Sequence, residues 1–188
     1  YRINGNITNS GTLNAGTGSV TFGGTTVISG GSNSFNNVTI LGSSSLTAPA
    51  SGLISVAGNF VNSGTFTHNS GTVVFNGTSS ISGSTLFNNV TVQGTLNAPS
   101  NLRLAGNLNV NGTFNANSGN ITFEGTGAQR LDRTSGSGTA IVDLYNVTIN
   151  KPSNTFSVAS TIPGTVFRVA NQFEISQNGT SGTDVDFD

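Results

Sequence analysis

The chain contains no cysteine, no methionine and no tryptophan, and only four prolines among its 188 residues. Without cysteine there are no disulfides and no thiolate metal ligands, although the compartment is left open. Charge is almost as scarce. Six Lys and Arg, seven Asp and Glu and one His give a net charge of -1. Such a surface has no field to gather nucleic acid or an anionic membrane. No apolar run approaches the roughly 18 residues of a membrane span, so membrane insertion is not expected. No signal peptide is visible, and an exported form would be the mature or excised chain.

The placement of the few charges excludes more than their number does. Acid–base catalysis needs titratable groups close to one another. No carboxylate precedes Glu124, and Arg2 is the only charged side chain before Arg103. Paired-carboxylate chemistry is therefore excluded from the first half of the chain. His68, the single histidine, sits in the turn-like FTHNSG and reads as a surface residue. With no acid near it in sequence, neither a nucleophilic triad nor a histidine metal site assembles. The expectation is a protein with no catalytic residues and no cofactor.

What the sequence does contain is a repeat. GNFVNSGTF (Gly58–Phe66) recurs as GNITNSGTL (Gly5–Leu13) and GNLNVNGTF (Gly106–Phe114). GTVVFNGT (Gly71–Thr78) recurs as GSVTFGGT (Gly18–Thr25) and GNITFEGT (Gly119–Thr126). FNNVTV (Phe87–Val92) recurs as FNNVTI (Phe35–Ile40) and LYNVTI (Leu144–Ile149), and TLNAP (Thr95–Pro99) as SLTAP (Ser45–Pro49). Four blocks in one order make the chain a single array, residues 1–188, with copies at about 5–57, 58–105 and 106–168 and a partial copy at 169–188. The first copies are spaced by 53 residues (Gly5 to Gly58) and then 48 (Gly58 to Gly106).

Each apolar cluster is short and alternating, the period of a half-buried strand. Val73 and Phe75 share a face, as do Val20 and Phe22, and Ile121 and Phe123. Between the clusters lie NSG, NGT, SGS and APS, where Gly and Asn accept positive φ. No segment carries ten residues of helical periodicity, so helix should be essentially absent. An all-β sandwich also has short, evenly spaced strands, but it gives no reason for blocks to recur in register. The pattern predicts a right-handed parallel β-solenoid (β-helix) of about seven coils. Each coil would hold about 25 residues and three strands, giving a rod of about 35 Å. Phe22, Phe75 and Phe123 would then stack in a line two coils apart. Asn36/Asn37 and Asn88/Asn89 would form corner ladders.

Three features stand outside the repeat's core. The third copy is longer between Thr126 and Leu144, and charge concentrates from Glu124 onward. Insertions in solenoids map to loops on the interaction surface, which makes residues 129–143, with Arg130, Asp132 and Arg133, the candidate interaction loop. The tail SGTDVDFD places Asp184, Asp186 and Asp188 on one side of an extended segment, a weak calcium candidate. Thr21, Thr39, Thr91, Thr122 and Thr148 at outward positions would offer a hydroxyl face toward ice or glycans. Asn-x-Ser/Thr acceptors at Asn6, Asn37, Asn76, Asn89, Asn111, Asn120, Asn146 and Asn178 are about as many as composition alone produces. Neither end of the array carries a capping helix or polar closing coil, so either the chain is a fragment of a longer array or identical chains stack end to end, the second being the reading favoured.

The stretches GTVVFNGTSSISGSTLFNNVTVQGTLNAP and ITFEGTGAQRLDRTSGSGTAIVDLYNVTINKPS resemble the repeat regions of large bacterial secreted and cell-surface adhesin-like proteins. In those proteins a VTFNGT…FNNLTI…G…L pattern recurs many times. The resemblance covers nearly the whole chain. It implies a parallel β-helix rod, exported to the cell surface or secreted, mostly without known catalysis. The expected function is a non-catalytic extracellular structural rod that stacks end to end as a surface fibre, filament or adhesin stalk. The alternative is a module that binds glycans or a surface through its lateral face or residues 129–143.

Overall fold

In a computed structural model of the chain, residues 1–136, 140–152, 154–177 and 185–187 are described. Their structure is all β, with no helix among the described residues. Alternation is obeyed in most strands, while Leu53–Val56, Thr72–Phe75 and Asn120–Phe123 also bury their outward residue, Ser55, Val74 and Thr122. Ser19–Phe22 buries Val20 and Phe22 and leaves Thr21 half-buried. Asn89–Val92 does the same with Val90 and Val92. Fully burying such a side chain stabilises by about 1.5–3 kcal/mol relative to exposure.

From Arg2–Ile3 to Gln129–Arg133 almost every strand pairs in parallel with the strand three places on, so three strands make one turn of a β-solenoid. From Asn120–Phe123 onward, where strands fuse, pairing is with the strand two places on. One face is a seven-stranded sheet from Arg2–Ile3 to Thr113–Asn115, which registers about seven turns, as read from the sequence. A second face is a nine-stranded sheet from Thr12–Asn14 to Val185–Phe187. The third is divided into a four-stranded and a five-stranded sheet. Phe66 and Phe87, with ring centroids 5.5 Å apart, bridge that division from inside.

The coil is shorter than the predicted 25 residues. Paired residues lie 17 to 22 apart along the chain as far as Asn101↔Asn120, and 23 to 29 apart beyond Leu108↔Leu131. This changes what stacks on what. Seven strands separate Ser19–Phe22 from Thr72–Phe75, and seven more separate that strand from Asn120–Phe123. One sequence copy is thus eight strands, and eight is not a multiple of three. Each copy lands one face further round. Phe22 lies in the seven-stranded sheet, Phe75 in the nine-stranded sheet and Phe123 in the five-stranded sheet, not in one line. The inward columns mix sequence positions instead, as in Val20, Val38, Phe60 and Ile81.

The asparagine ladder is corrected for the same reason. Asn37 begins a strand of one face and Asn89 a strand of another. Each is a staple to its neighbouring coils. Asn36 Nδ2 donates to Thr17 O at 2.6 Å, and Asn88 Nδ2 to Ser70 O at 3.0 Å. Asn37 Oδ1 accepts from Asn59 N at 2.8 Å, and Asn89 Oδ1 from Asn107 N at 2.9 Å. The repeat conserves contacts between consecutive coils while rotating them around the axis.

Corners follow from local chemistry. In two of the four NSG segments, at Asn69/Ser70 and Asn117/Ser118, the two residues before glycine hold φ between 46° and 58°. Short polar side chains tolerate this region, and Asn69 and Asn117 also donate to Ala48 O and Ala98 O of the adjacent coil. The matched glycines Gly24, Gly77 and Gly125 face the backbone oxygens of Asn4, Ala57 and Ala105, where any Cβ would collide.

In the third copy the short strands fuse. Ile141–Lys151 runs 11 residues, its second half pairing with Asn120–Phe123 and its whole length with Val166–Gln177 across a bulge at Leu144/Asn146. The extra residues therefore build wall as well as loop. Gln129–Arg133 is a strand of the nine-stranded sheet, paired on both sides, where the sequence suggested a loop.

Candidate binding groove

Fusion of the strands opens the wall. The first half of Ile141–Lys151 packs beside Thr113–Asn115, and between them runs a groove of about 970 Å3. Val110, Phe114 and Leu144 form its apolar base, and Asn115, Asn117 and Tyr145 contribute polar atoms. Asp143 and Arg133 supply opposite charges from two different strands.

The three residues singled out in the sequence part company here. Alternation along Gln129–Arg133 turns Arg130 outward, leaves Asp132 half-buried and sends Arg133 inside, 6% exposed. Arg130 and Asp132 form a 3.7 Å ion pair on the outer surface. Arg133 Nη1 donates to Val110 O at 3.2 Å, while Nε has no hydrogen-bond partner. Gly136, at φ 117°, stands where a Cβ would meet Arg133 Nη2. Asp143 is held from outside by Arg168 Nε at 2.6 Å, and this bond and charge raise the Arg168 pKa. Arg103 and Glu124 pair at 2.8 Å elsewhere on the wall.

A second charged interior group escaped the reading of the sequence. Lys151 is fully buried, and its Nζ donates to Gly125 O at 2.8 Å, Gly127 O at 2.6 Å and Gln129 Oε1 at 2.9 Å. Gln129, also fully buried, donates to Leu104 O and Gly106 O and accepts from Gly125 N. Burial lowers the Lys151 pKa below its ordinary 10.5. The signal was present in the alternation of VTINK, which puts Lys151 on the side of Val147 and Ile149.

Other sequence candidates are dispersed. His68 is half-exposed, its Nδ1 accepting from Ser70 N at 3.1 Å in a local turn. Among the described residues no three His, Cys, Asp or Glu gather to hold a metal. Asp184 and Asp188 of the calcium candidate lie outside the described residues, and of Asp186 only the backbone is described. The five threonines fall on three faces: Thr21 beside Thr39, Thr91 between Val74 and Asn109, Thr122 beside Thr148. Thr122 is also buried, so these five threonines do not form one continuous hydroxyl face.

Compared with models of protein families, with curated proteins and with solved structures, the chain shows no significant match in any of the three.

Proposed function

We propose that this chain is a non-catalytic structural rod working outside the cell or at its surface, assembled by stacking coil upon coil. The observation that carries this reading is the first coil. Arg2–Ile3, Ile7–Thr8 and Thr12–Asn14 are each paired within the chain on one side only. Beneath them Ile3, Ile7 and Leu13 are half-buried, packed on the core and open beyond it. A further coil of the same kind would continue all three ladders and complete that burial. Such a coil can come from a further stretch of the same array or from a second copy of this chain. The form proposed is the second, stacked head to tail, in which a contact that does not close on itself propagates as a filament. The repeat's resemblance to bacterial adhesin-like surface proteins and its neutral, Asn/Ser/Thr-rich surface support an extracellular setting.

Negative-stain electron microscopy of the purified chain without ligand tests stacking. Filaments that disappear on Leu13→Asp are the expected result. Dispersed short particles at all concentrations overturn it.

A second reading is favoured by the groove beside Ile141–Lys151: a module that binds a glycan through its lateral wall. Because Gln129–Arg133 is wall rather than loop, point substitutions test this reading and deletions do not. Saturable oligosaccharide binding is expected, and its absence overturns the reading.

A further inference from the structure

Along the nine-stranded sheet, one inward column runs Phe35, Val56, Phe75, Val92 and Val110 through successive coils. Extending the register of Leu108↔Leu131 by two residues places Arg133 beside Val110. A guanidinium thus stands where five coils in succession put an apolar side chain. It has five N–H groups. One makes a 3.2 Å bond to Val110 O, and Nε is buried without a partner. No carboxylate pairs with it among the described residues: Glu124, Asp132 and Asp143 are paired with Arg103, Arg130 and Arg168, and Glu174 accepts from Gln172 and Ser176. The neighbouring residues 137–139 are Ser, Gly and Thr, so they carry no countercharge in their sequence. A buried charge lacking a partner is costly, and such a cost at the base of an open groove points to an anion that arrives with a ligand.

The ligand's class follows from the rest of the groove. A volume of about 970 Å3 is far larger than a lone inorganic ion requires. Asn115 and Asn117 commit their amide nitrogens to Asn97 Oδ1 and Ala98 O, leaving their side-chain carbonyl oxygens without a bond among the described residues. Those oxygens accept from hydroxyls, and the half-buried Tyr145 offers a ring for an apolar sugar face. Asp143 does not neutralise Arg133, because Arg168 holds it.

We propose that the groove binds an acidic saccharide, with a uronic-acid carboxylate seated on the Arg133 guanidinium. This deepens the glycan-binding reading and rests on it. The guanidinium fork matches a planar carboxylate in two parallel bonds, which an ammonium cannot reproduce.

The experiment is a calorimetric titration of the full chain with tetragalacturonate and, separately, with its fully methyl-esterified form. Expected is saturable binding of the acid, at least about tenfold weaker binding of the ester, and loss of the preference in Arg133→Met. Equal binding of both forms overturns the carboxylate assignment and leaves the groove reading standing. Binding of neither overturns both. Asp143→Asn, on an exposed side chain, keeps the test decisive should Arg133→Met not fold. Removing the rim's negative charge should tighten binding of the acid by about two- to fivefold at low salt. Unchanged or weaker binding overturns the proposal.

Discussion

Lys151 Nζ and Gln129 Oε1 lie 2.9 Å apart in a sealed interior corner, the ammonium completing a ring of oxygens with Gly125 O and Gly127 O. Burial holds the Lys151 pKa below 10.5 in the folded chain. The folded state then loses its proton before the unfolded state does. Between the lowered value and 10.5 the unfolded chain binds more protons, so stability rises with pH in that window. The cost of burying the charge is present at neutral pH and lifts as pH approaches 10.5. Urea unfolding at pH 7, 8, 9 and 10 should show this rise in the wild type and not in Lys151→Met. A stability that falls relative to the variant over that range would reverse the sign and refute the account. At pH 7 Lys151→Met should itself cost about 1–3 kcal/mol, because it leaves carbonyl oxygens without a donor.

Phe87 packs against three other rings in the core. Its centroid is 5.4 Å from Phe60, 5.5 Å from Phe66 and 6.2 Å from Phe75, contacts that draw on all three faces. Phe87→Ala should cost about 3–5 kcal/mol, with the cavity adding to lost burial. Phe66→Ala, at a half-buried position, should cost less. Because each coil contacts only its neighbours, hydrogen exchange should accelerate around Phe60–Phe87 and stay unchanged near Val147. Uniform acceleration along the rod would refute this local picture.

Asn62 shows how much polar satisfaction the corners need. It is 6% exposed, its Nδ2 donating to Ser84 O at 3.2 Å and Thr85 Oγ1 at 2.9 Å while Oδ1 accepts from Gly64 N at 3.1 Å. Asn62→Ala should cost about 1–3 kcal/mol by leaving buried groups unpaired. Its counterpart in the first copy, Asn9, also accepts from the glycine two residues on, Gly11, but is half-buried. Asn9→Ala should cost less, as read from paired chemical-denaturation midpoints.

These contacts also mark what the sequence could and could not disclose. Inward positions such as Val20, Phe75 and Ile149 were legible because strand alternation has a period of two, independent of how the coils stack. The alignment of Phe22 with Phe75 was not legible in the spacing of 53 residues, since that spacing fixes neither coil length nor strands per turn. The coil emerges only when corner glycines and asparagines find the preceding turn, as Gly77 finds Ala57. At the groove, charge density drew attention to Arg130, Asp132 and Arg133 together. Alternation separates them, and it is the least exposed of the three that faces the groove.

Gly77 and Gly5 provide the sharpest test of the stacking itself. Both precede or follow asparagine in Gly/Asn-rich turns, and composition gives no reason to treat them differently. A Cβ on Gly77 would run into Ala57 O, backbone of the preceding coil with no rotamer through which to escape. A Cβ on Gly5 has nothing within 4 Å, and its φ is not in the left-handed region. Gly77→Ala should therefore force two coils apart and cost about 1–3 kcal/mol, in the range of other overpacked sites. Gly125→Ala, against Ala105 O, should behave alike even though the strand before it, Asn120–Phe123, lies on a different face from Thr72–Phe75. Gly5→Ala should be neutral or slightly stabilising, because alanine restricts the unfolded chain more than glycine does. The check is thermal and urea unfolding of the three variants side by side. Equal effects at Gly5 and Gly77 would mean that the corners are not in the close coil-to-coil register on which the eight-strand repeat depends.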